Sequence, residues 1–215
     1  MYGVLMAFQD YSGAKGIWGS EWVALKHFKR FITAYNFSTL LGNTLTISVY
    51  SLIAGFPFPV ILALLVNKLR STRYQSVVKT VSYAPYFIST VVLVGMLRIF
   101  LAPDTGFVNH VIMAFGGENF DFFASAPAFK HVYVWSDVWK NAGWGSIIYL
   151  AALSNISPEL YESARVDGAN QWKILWHIDL PGILPTVITL LILNTGNLMA
   201  VAFEKAFLMQ TTLNT

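Results

Sequence analysis

Cysteine is absent from the 215 residues, and charged side chains are scarce, at 12% of the chain. Without cysteine there is no disulfide, no thiolate nucleophile and no cysteine-ligated zinc or iron–sulfur centre. Soluble domains carry roughly 25% charged residues, so this chain, with 55% hydrophobic residues, has too little charge to cover a soluble surface. The composition predicts a membrane protein and excludes collagen-like, disordered and coiled-coil classes. Nucleic-acid binding is not indicated either, because the basic residues are dispersed rather than clustered.

Charge is missing from long continuous stretches of the chain. These stretches are residues 31–67, 80–97, 141–158 and 180–203. A helix needs about 20 apolar residues to cross a hydrocarbon core of about 30 Å. We therefore expect membrane-spanning helices at about 43–66, 80–101, 132–154 and 181–203.

The linker 67–79 predicts the orientation of these spans. It holds four basic residues and no acidic one, which places it in the cytoplasm by the positive-inside rule. Alternation then puts 102–130 outside, with a short interfacial helix near 107–115, and returns 154–179 to the cytoplasm. Within the third span, Asp137 and Lys140 are spaced to pair on one helix face.

The cytoplasmic segment 154–179 begins with a helix-start pattern. Ser157 is placed as the N-cap, Pro158 at the first helical position and Glu159 in the first turn. The helix is expected to reach Gly168, which permits a turn. A second amphipathic run follows, and the last span is expected to open at Pro181. Two short helices on this face form either a docking ledge for another protein or an ordinary interfacial pair, and their spacing does not choose between them.

A longer pattern within this segment favours the docking ledge over the interfacial pair. The stretch Glu162-Ser163-Ala164-Arg165-Val166-Asp167-Gly168-Ala169, followed by Ile178-Asp179-Leu180-Pro181, resembles the EAA motif. That motif reads Glu-Ala-Ala, Asp-Gly-Ala and then Ile-x-Leu-Pro, and it marks the transmembrane permease subunits of bacterial ABC importers. Two positions depart from the pattern: Ser163 replaces an alanine, and Leu175 stands where the family often has phenylalanine.

Other parts of the chain agree with that family. Asn43-Thr44-Leu45 and Tyr83-Ala84-Pro85 resemble the residues that open or precede spans in such permeases. Near the N-terminus, Tyr2-Gly3-Val4 with Gln9-Asp10-Tyr11 is similar to permeases for oligosaccharides and multiple sugars.

The resemblance implies an all-α membrane protein, a polytopic helical bundle of the type I ABC importer transmembrane-domain kind. Residues 1–215 would form a single transmembrane domain, truncated from a six-span subunit and incomplete at both ends. Residues 1–8 would be the tail of an earlier span. The protein would be multi-pass in the bacterial cytoplasmic membrane.

The resemblance also implies site residues. The region 157–180 would be the coupling helix region that docks on the ATP-binding subunit. Its docking residues would be Glu162, Ser163, Ala164, Asp167, Gly168 and Ala169, and its anchor to the last span would be Ile178, Leu180 and Pro181.

The partners implied are two ATP-binding subunits, a second homologous permease, an external solute-binding protein and the lipid bilayer. The chain has no Gly-x-x-x-x-Gly-Lys-[Ser/Thr] pattern, so ATP and Mg²⁺ would be bound by the partner ATPase subunit. No catalytic residue, cofactor or metal site is expected in this chain, which would be a transport subunit and not an enzyme.

The expected cargo is a sugar or oligosaccharide, with an amino acid, a peptide or an ion as the alternative. Polar and aromatic residues within the expected spans suit a sugar path, through hydrogen bonds and stacking. The candidates are Trp144, Tyr149, Asn194 and Asn197. Packing within a helical bundle explains each of them equally well.

A membrane-embedded enzyme, a scaffold and an ion-coupled carrier are the competing classes. The four histidines, His27, His110, His131 and His177, form no His-Glu-x-x-His pattern, and no Gly-x-Ser occurs. A scaffold would need no ATPase docking helix. Ion-coupled carriers usually have ionisable residues in the middle of a span.

Overall fold

The computed structural model describes residues 2–198 and 203–211. The chain divides into two compact units, Met1–Thr46 and Ile47–Thr215, and the helix α3 (Phe37–Gly55) contains the boundary between them. The structure is mostly helical, which confirms the all-α class.

The first unit contains short elements around a small strand pair. A 3₁₀ helix (Tyr2–Phe8) leads into β1 (Gln9–Asp10), which pairs antiparallel with β2 (Glu21–Trp22); the short helices are α1 (Gly16–Gly19) and α2 (Lys26–Ile32). The ring of Phe8 stacks on that of Trp22 at 5.7 Å. The strand pair was not expected, because two-residue strands are too short to show an alternating pattern.

The second unit is built from helices. They are α4 (Pro57–Asn67), α5 (Thr72–Tyr83), α6 (Thr90–Phe100), α7 (Phe107–Ala114), α8 (Ala126–Ser154), α9 (Pro158–Val166), α10 (Gln171–Ile174), α11 (Leu180–Gly196) and α12 (Phe203–Met209). A 3₁₀ turn (Ala84–Phe87) follows α5, and a π-helical turn (Leu175–Asp179) joins α10 to α11. A helix, α7, lies where a short interfacial helix was expected near 107–115.

The 29-residue helix α8 is the centre of this unit. One buried cluster, with Val134 and Val138 of α8 at its middle, includes Val94 of α6 and Met209 of α12. A second cluster joins Tyr149 and Leu153 of α8 to Ala63 of α4 and Ile183 of α11. Helix α4 packs along α8 more extensively than any other pair of elements. Helices α4 and α11, which contribute to the cavity, are thus positioned by α8.

Two continuous helical stretches among the described residues are long and apolar enough to cross a membrane, Phe37–Asn67 and Gln171–Gly196. The first contains the expected span 43–66. The expected span 132–154 lies within α8, which is about 43 Å long at 1.5 Å per residue but less apolar than those two. The expected span 181–203 coincides with α11 as far as Gly196, and its residues 199–202 lie outside the described part of the chain.

The expected span 80–101 is not one straight helix. The segments Thr72–Phe87 and Thr90–Phe100 meet at 97°. Pro85 cannot donate a helical hydrogen bond, and Ser89 starts a new helix by accepting a hydrogen bond from the Val92 N–H at 3.3 Å. Sequence reasoning overlooked this cap, so the bend was missed.

A glycine sets the distance between α8 and the end of α5. A Cβ atom on Gly143 would lie 1.8 Å from the Ser82 carbonyl oxygen, and the obstacle is backbone. By contrast, a Cβ atom on Gly95 of α6 would meet nothing within 4 Å.

We predict that Gly143→Ala destabilises the protein by at least about 1–3 kcal/mol, the usual cost of overpacking, because two backbones would have to move apart. The matched variant Gly95→Ala should be neutral or slightly stabilising, since alanine is the better helix former. Thermal unfolding of both purified variants in detergent measures the difference. Equal stability of the two would contradict this packing.

Candidate functional site

The segment that contains the expected docking residues folds as one exposed helix and a tight turn. Helix α9 starts at Pro158 as expected, with Glu159 in its first turn, although the Ser157 side chain makes no capping hydrogen bond. Four of the six expected docking residues are exposed, namely Glu162, Ser163, Asp167 and Gly168; Ala164 and Ala169 are half-buried. The side chain of Val166 is 88% exposed and that of Leu160 is 52% exposed. The helix therefore presents apolar side chains that residues 2–198 and 203–211 leave largely uncovered.

The turn after α9 depends on glycine. Gly168 has φ +74, its N–H donates to the Arg165 carbonyl at 3.1 Å, and the Ala169 N–H donates to the Ala164 carbonyl at 2.8 Å. These two bonds form a Schellman motif, in which the residue after the helix is left-handed. Sequence reasoning expected a turn at Gly168 and also placed this residue at the docking surface. The structure adds a local reason, because the backbone conformation itself favours glycine.

Beyond this turn the chain is helical without a break from Gln171 to Gly196. Asn170 caps the start by accepting a hydrogen bond from the Lys173 N–H at 2.9 Å. The helix that contains the expected last span therefore begins at Gln171, ten residues before Pro181. Because Pro181 has no N–H to donate, the regular hydrogen-bond pattern is interrupted, and the preceding turn Leu175–Asp179 is π-helical.

The three expected anchor residues lie in this continuous helix. Ile178 is in the π-helical turn, and Leu180 and Pro181 begin α11. Ile178 and Leu180 are half-buried, whereas Pro181 is exposed.

Sequence reasoning missed a buried ionic junction next to these residues. Asp179, which is 0% exposed, accepts a hydrogen bond on Oδ1 from the Tyr161 hydroxyl at 2.8 Å and forms an ion pair through Oδ2 with the Lys68 ammonium. We call Asp179, Tyr161 and Lys68 the carboxylate junction. It joins α9, the C-terminal end of α4 and the N-terminal end of α11. The sequence did contain a signal for this junction, because Asp179 is an acidic residue surrounded by apolar ones at the variable position of the Ile-x-Leu-Pro pattern.

The junction favours a protonated phenol. Burial is the largest cause that raises the pKa of Tyr161, followed by its hydrogen bond to Asp179 and the negative charge of that carboxylate. A hydrogen bond with Asn67 acts weakly in the opposite direction. Tyr161 therefore remains a hydrogen-bond donor throughout the physiological pH range.

Three of the four expected path residues line one cavity of about 440 Å³. Tyr149 of α8 and Asn194 and Asn197 at the end of α11 face it, together with Asn141 and Asp137 of α8. Trp144 does not line this cavity, because it stacks on Tyr86 with ring centroids 4.5 Å apart.

A buried lysine is placed behind this cavity. Lys205 of α12, which is 2% exposed, lies 2.7 Å from Asp137 Oδ1 and donates to the Tyr133 carbonyl at 2.6 Å. The expected pairing of Asp137 with Lys140 is therefore wrong. A buried ammonium needs a counter-charge, whereas a pair on an exposed helix face contributes little. The cavity thus contains a carboxylate whose charge is balanced by Lys205.

Comparison with known proteins places this geometry in a family. The family model described as "Binding-protein-dependent transport system inner membrane component" matches residues 31–214. Protein LplB of Bacillus subtilis (strain 168) is 42% identical over 214 residues, which cover 100% of this chain and 67% of LplB. The polygalacturonan/rhamnogalacturonan transport system permease protein YteP of the same strain is also 42% identical, with the same coverage of each chain.

Solved structures show the same likeness. A bacterial ABC transporter involved in the import of the acidic polysaccharide alginate superposes with a TM-score of 0.89 and 38% identity over 99% of this chain and 71% of that one. A bacterial alginate ABC transporter in complex with an alginate pentasaccharide-bound periplasmic protein gives a TM-score of 0.85 and 40% identity, over 89% of this chain and 66% of that one.

We predict that Gly168→Ala lowers transport, because a left-handed alanine costs roughly 1–2 kcal/mol and the turn that ends α9 would shift. The matched control is Gly116→Ala. Gly116 has φ +83 and ends α7 with the same pair of hydrogen bonds, from Gly116 N–H to the Met113 carbonyl and from Gly117 N–H to the Ile112 carbonyl.

Both variants should lose similar thermal stability, and only Gly168→Ala should lose uptake per folded molecule. An equal loss of uptake in both would show that the α9 turn has no special role.

Proposed function

The chain belongs to the family of binding-protein-dependent transport system inner membrane components, which are ABC transporter permeases, and we propose that its cargo is an oligosaccharide. With a second, homologous permease it forms the path through the bacterial cytoplasmic membrane. An external solute-binding protein delivers the oligosaccharide, and two ATP-binding subunits supply the energy.

The observation that carries the cargo assignment is the lining of the 440 Å³ cavity. Asn141, Asn194, Asn197 and Tyr149 line the same space, and the amide nitrogens of the three asparagines donate to carbonyls one turn earlier, which leaves their amide oxygens as acceptors. Saccharides are recognised by such a combination of hydrogen-bonding groups and aromatic faces. The cavity's carboxylate, Asp137, is paired with Lys205, so the lining offers no unbalanced charge that would favour an ion. YteP is named for polygalacturonan and rhamnogalacturonan transport, and both solved relatives are alginate transporters, which supports the same class of cargo.

Helix α9 and its turn are proposed as the coupling helix, seated on an ATP-binding subunit. Glu162, Ser163, Asp167 and Gly168 are exposed, and the uncovered Val166 and Leu160 supply apolar contact area for that partner. Ala164 and Ala169 allow close approach, and Ile178, Leu180 and Pro181 connect the seat to α11. ATP and Mg²⁺ bind to the partner, since this chain lacks a phosphate-binding loop pattern.

The carboxylate junction supports the proposed orientation. Lys68 belongs to the basic linker 67–79, and Asp179 and Tyr161 belong to the segment 154–179. Because these residues are in contact, the two segments lie on the same side of the membrane. The positive-inside rule assigns that side to the cytoplasm, where ATP is available.

The proposed domain arrangement is one transmembrane domain with crossings near 43–66, 132–154 and 181–203 and a broken one near 80–101. The break is the 97° bend at residues 88 and 89. The long apolar stretches and the many exposed large apolar side chains, such as Leu65, Ile192 and Leu193, suit a lipid surface or a second permease.

We predict that Val166→Glu abolishes docking. Val166 is 88% exposed, so the substitution leaves the fold of this chain intact while placing a charge in an apolar contact. The control is Val111→Glu on α7, at the opposite, external face.

Co-purification of the ATP-binding subunit with the detergent-solubilised permease should fall at least about tenfold for Val166→Glu, equivalent to about 1.4 kcal/mol, and stay at the wild-type level for Val111→Glu. Undiminished co-purification of Val166→Glu would refute α9 as the seat.

The cavity is tested by Asn194→Leu. Losing an amide that hydrogen-bonds the cargo should reduce uptake about tenfold. A hydrogen bond contributes about 0.5–1.5 kcal/mol, and the upper end of that range corresponds to this factor. Thr189→Val, on the same helix but outside the cavity lining, should transport normally. Vesicles containing the complete importer are loaded with ATP and given labelled alginate pentasaccharide, oligogalacturonate, a neutral oligosaccharide, an amino acid and a peptide. Uptake of the amino acid or the peptide alone would overturn the oligosaccharide assignment.

A further inference from the structure

The carboxylate junction is the one place in the described chain where the proposed docking helix is bonded through side chains to two membrane helices. The Tyr161 hydroxyl comes from α9, the Lys68 ammonium from the residue after α4, and the Asp179 carboxylate from the residue before α11. Each carboxylate oxygen has a different partner. Asp179 therefore contacts both other residues of the junction, and Tyr161 also hydrogen-bonds Asn67 at the end of α4.

Because Asp179 is buried, its carboxylate depends on both of its partners. The Asp179 side chain is 0% exposed and that of Lys68 is 26% exposed. A buried carboxylate loses its hydration and is stable only with its charge balanced and its oxygens bonded. If α9 moved away alone, the buried Asp179 oxygen would lose the hydrogen bond from the Tyr161 hydroxyl. Moving α4 alone would separate a buried charge from its counter-ion.

Both membrane helices that meet at the junction continue to the cavity. Along α11, Asn194 lies about 21 Å from Leu180 at 1.5 Å per residue, and Leu190 and Asn194 line the cavity. Helix α4 carries Pro59 to the same cavity. A displacement at the junction thus reaches the cavity through two continuous helices and requires no loop to transmit it.

We propose that Asp179 is a positioning residue of the transport cycle, locking the docking helix α9 to α4 and α11 so that the three move as one body when the ATP-binding subunits close. The inference rests on the proposed function, because it takes α9 as the helix that the ATP-binding subunit moves. It concerns Asp179, Tyr161 and Lys68, none of which is among the docking or cavity residues.

A distance measurement in the complete importer tests this directly and requires no knowledge of the cargo. The chain has no cysteine, so cysteines introduced at Glu159 of α9 and at Ile192 of α11 accept spin labels selectively once the partner subunits are made cysteine-free. Distances are recorded without nucleotide and with Mg²⁺-ATP bound to hydrolysis-deficient ATP-binding subunits.

We expect one unchanged distance in the two nucleotide states of the otherwise wild-type complex. In Tyr161→Phe, which keeps the ring and removes the hydroxyl, and in Asp179→Asn, the distance should shift or broaden when Mg²⁺-ATP binds. Lys68→Arg keeps the charge and should behave as wild type. Tyr74→Phe, at a 70% exposed tyrosine of α5, is the control for removing a hydroxyl.

Transport should respond in a way that a purely structural role would not produce. With an oligosaccharide that the wild-type importer takes up, the amount transported per ATP hydrolysed should fall about 2- to 30-fold in Tyr161→Phe and Asp179→Asn, the range expected when a coupling residue is removed. ATP hydrolysis itself should continue, because the docking surface is intact. Lys68→Arg should keep the wild-type ratio.

Two results would overturn the inference. One is a distance that changes with nucleotide in the wild-type complex, which would mean that α9 moves independently of α11. The other is a Tyr161→Phe complex that keeps both the fixed distance and the wild-type transport ratio; this variant remains decisive if Asp179→Asn does not fold. Failure of the proposed function is distinguishable, since it would appear in the unmodified importer as absent co-purification or absent oligosaccharide uptake.

Discussion

A single buried carboxylate connects the parts of this permease that have to work together. Asp179 cannot be hydrated where it lies, so it requires both the Lys68 ammonium and the Tyr161 hydroxyl. That requirement brings three segments that are distant in sequence to one point on the proposed cytoplasmic face. The exposed helix α9 is held to the bundle at this point as well as through its flanking turns.

The cavity shows the same principle on α8. Lys205 is buried, and its charge is balanced by Asp137. Its ammonium group also donates a hydrogen bond to the Tyr133 carbonyl. This pairing fixes α12 against α8, and the largely apolar cavity carries three asparagines, Tyr149 and a neutralised carboxylate as its polar groups. A neutralised carboxylate together with uncharged polar groups is suited to a hydroxyl-rich cargo, and the relatives named for polysaccharide transport agree with that reading.

Sequence reasoning succeeded where the determinants are local. Pro158 and Gly168 mark the two ends of α9 almost to the residue, because caps and left-handed turns are encoded within a few positions. The absence of charge located the long apolar helices, and the EAA-like pattern identified the family. Tyr149, Asn194 and Asn197 were selected by residue type, and the fold brings them to one cavity.

It failed where the outcome depends on partners distant in sequence. The pairing of Lys68 with Asp179 and of Lys205 with Asp137 is decided by helix packing, and no local spacing contains it. Trp144 was assigned to the path by residue type, but it stacks on Tyr86, just before the 97° bend, and does not line the cavity. The most direct test is to determine structures of the importer at high resolution without nucleotide and with Mg²⁺-ATP. The quantities to measure are the distances from the Asp179 carboxylate to Lys68 Nζ and to the Tyr161 hydroxyl. Both contacts should persist in the two states while the cavity changes shape, and a junction that opens in either state would contradict the proposed role of Asp179.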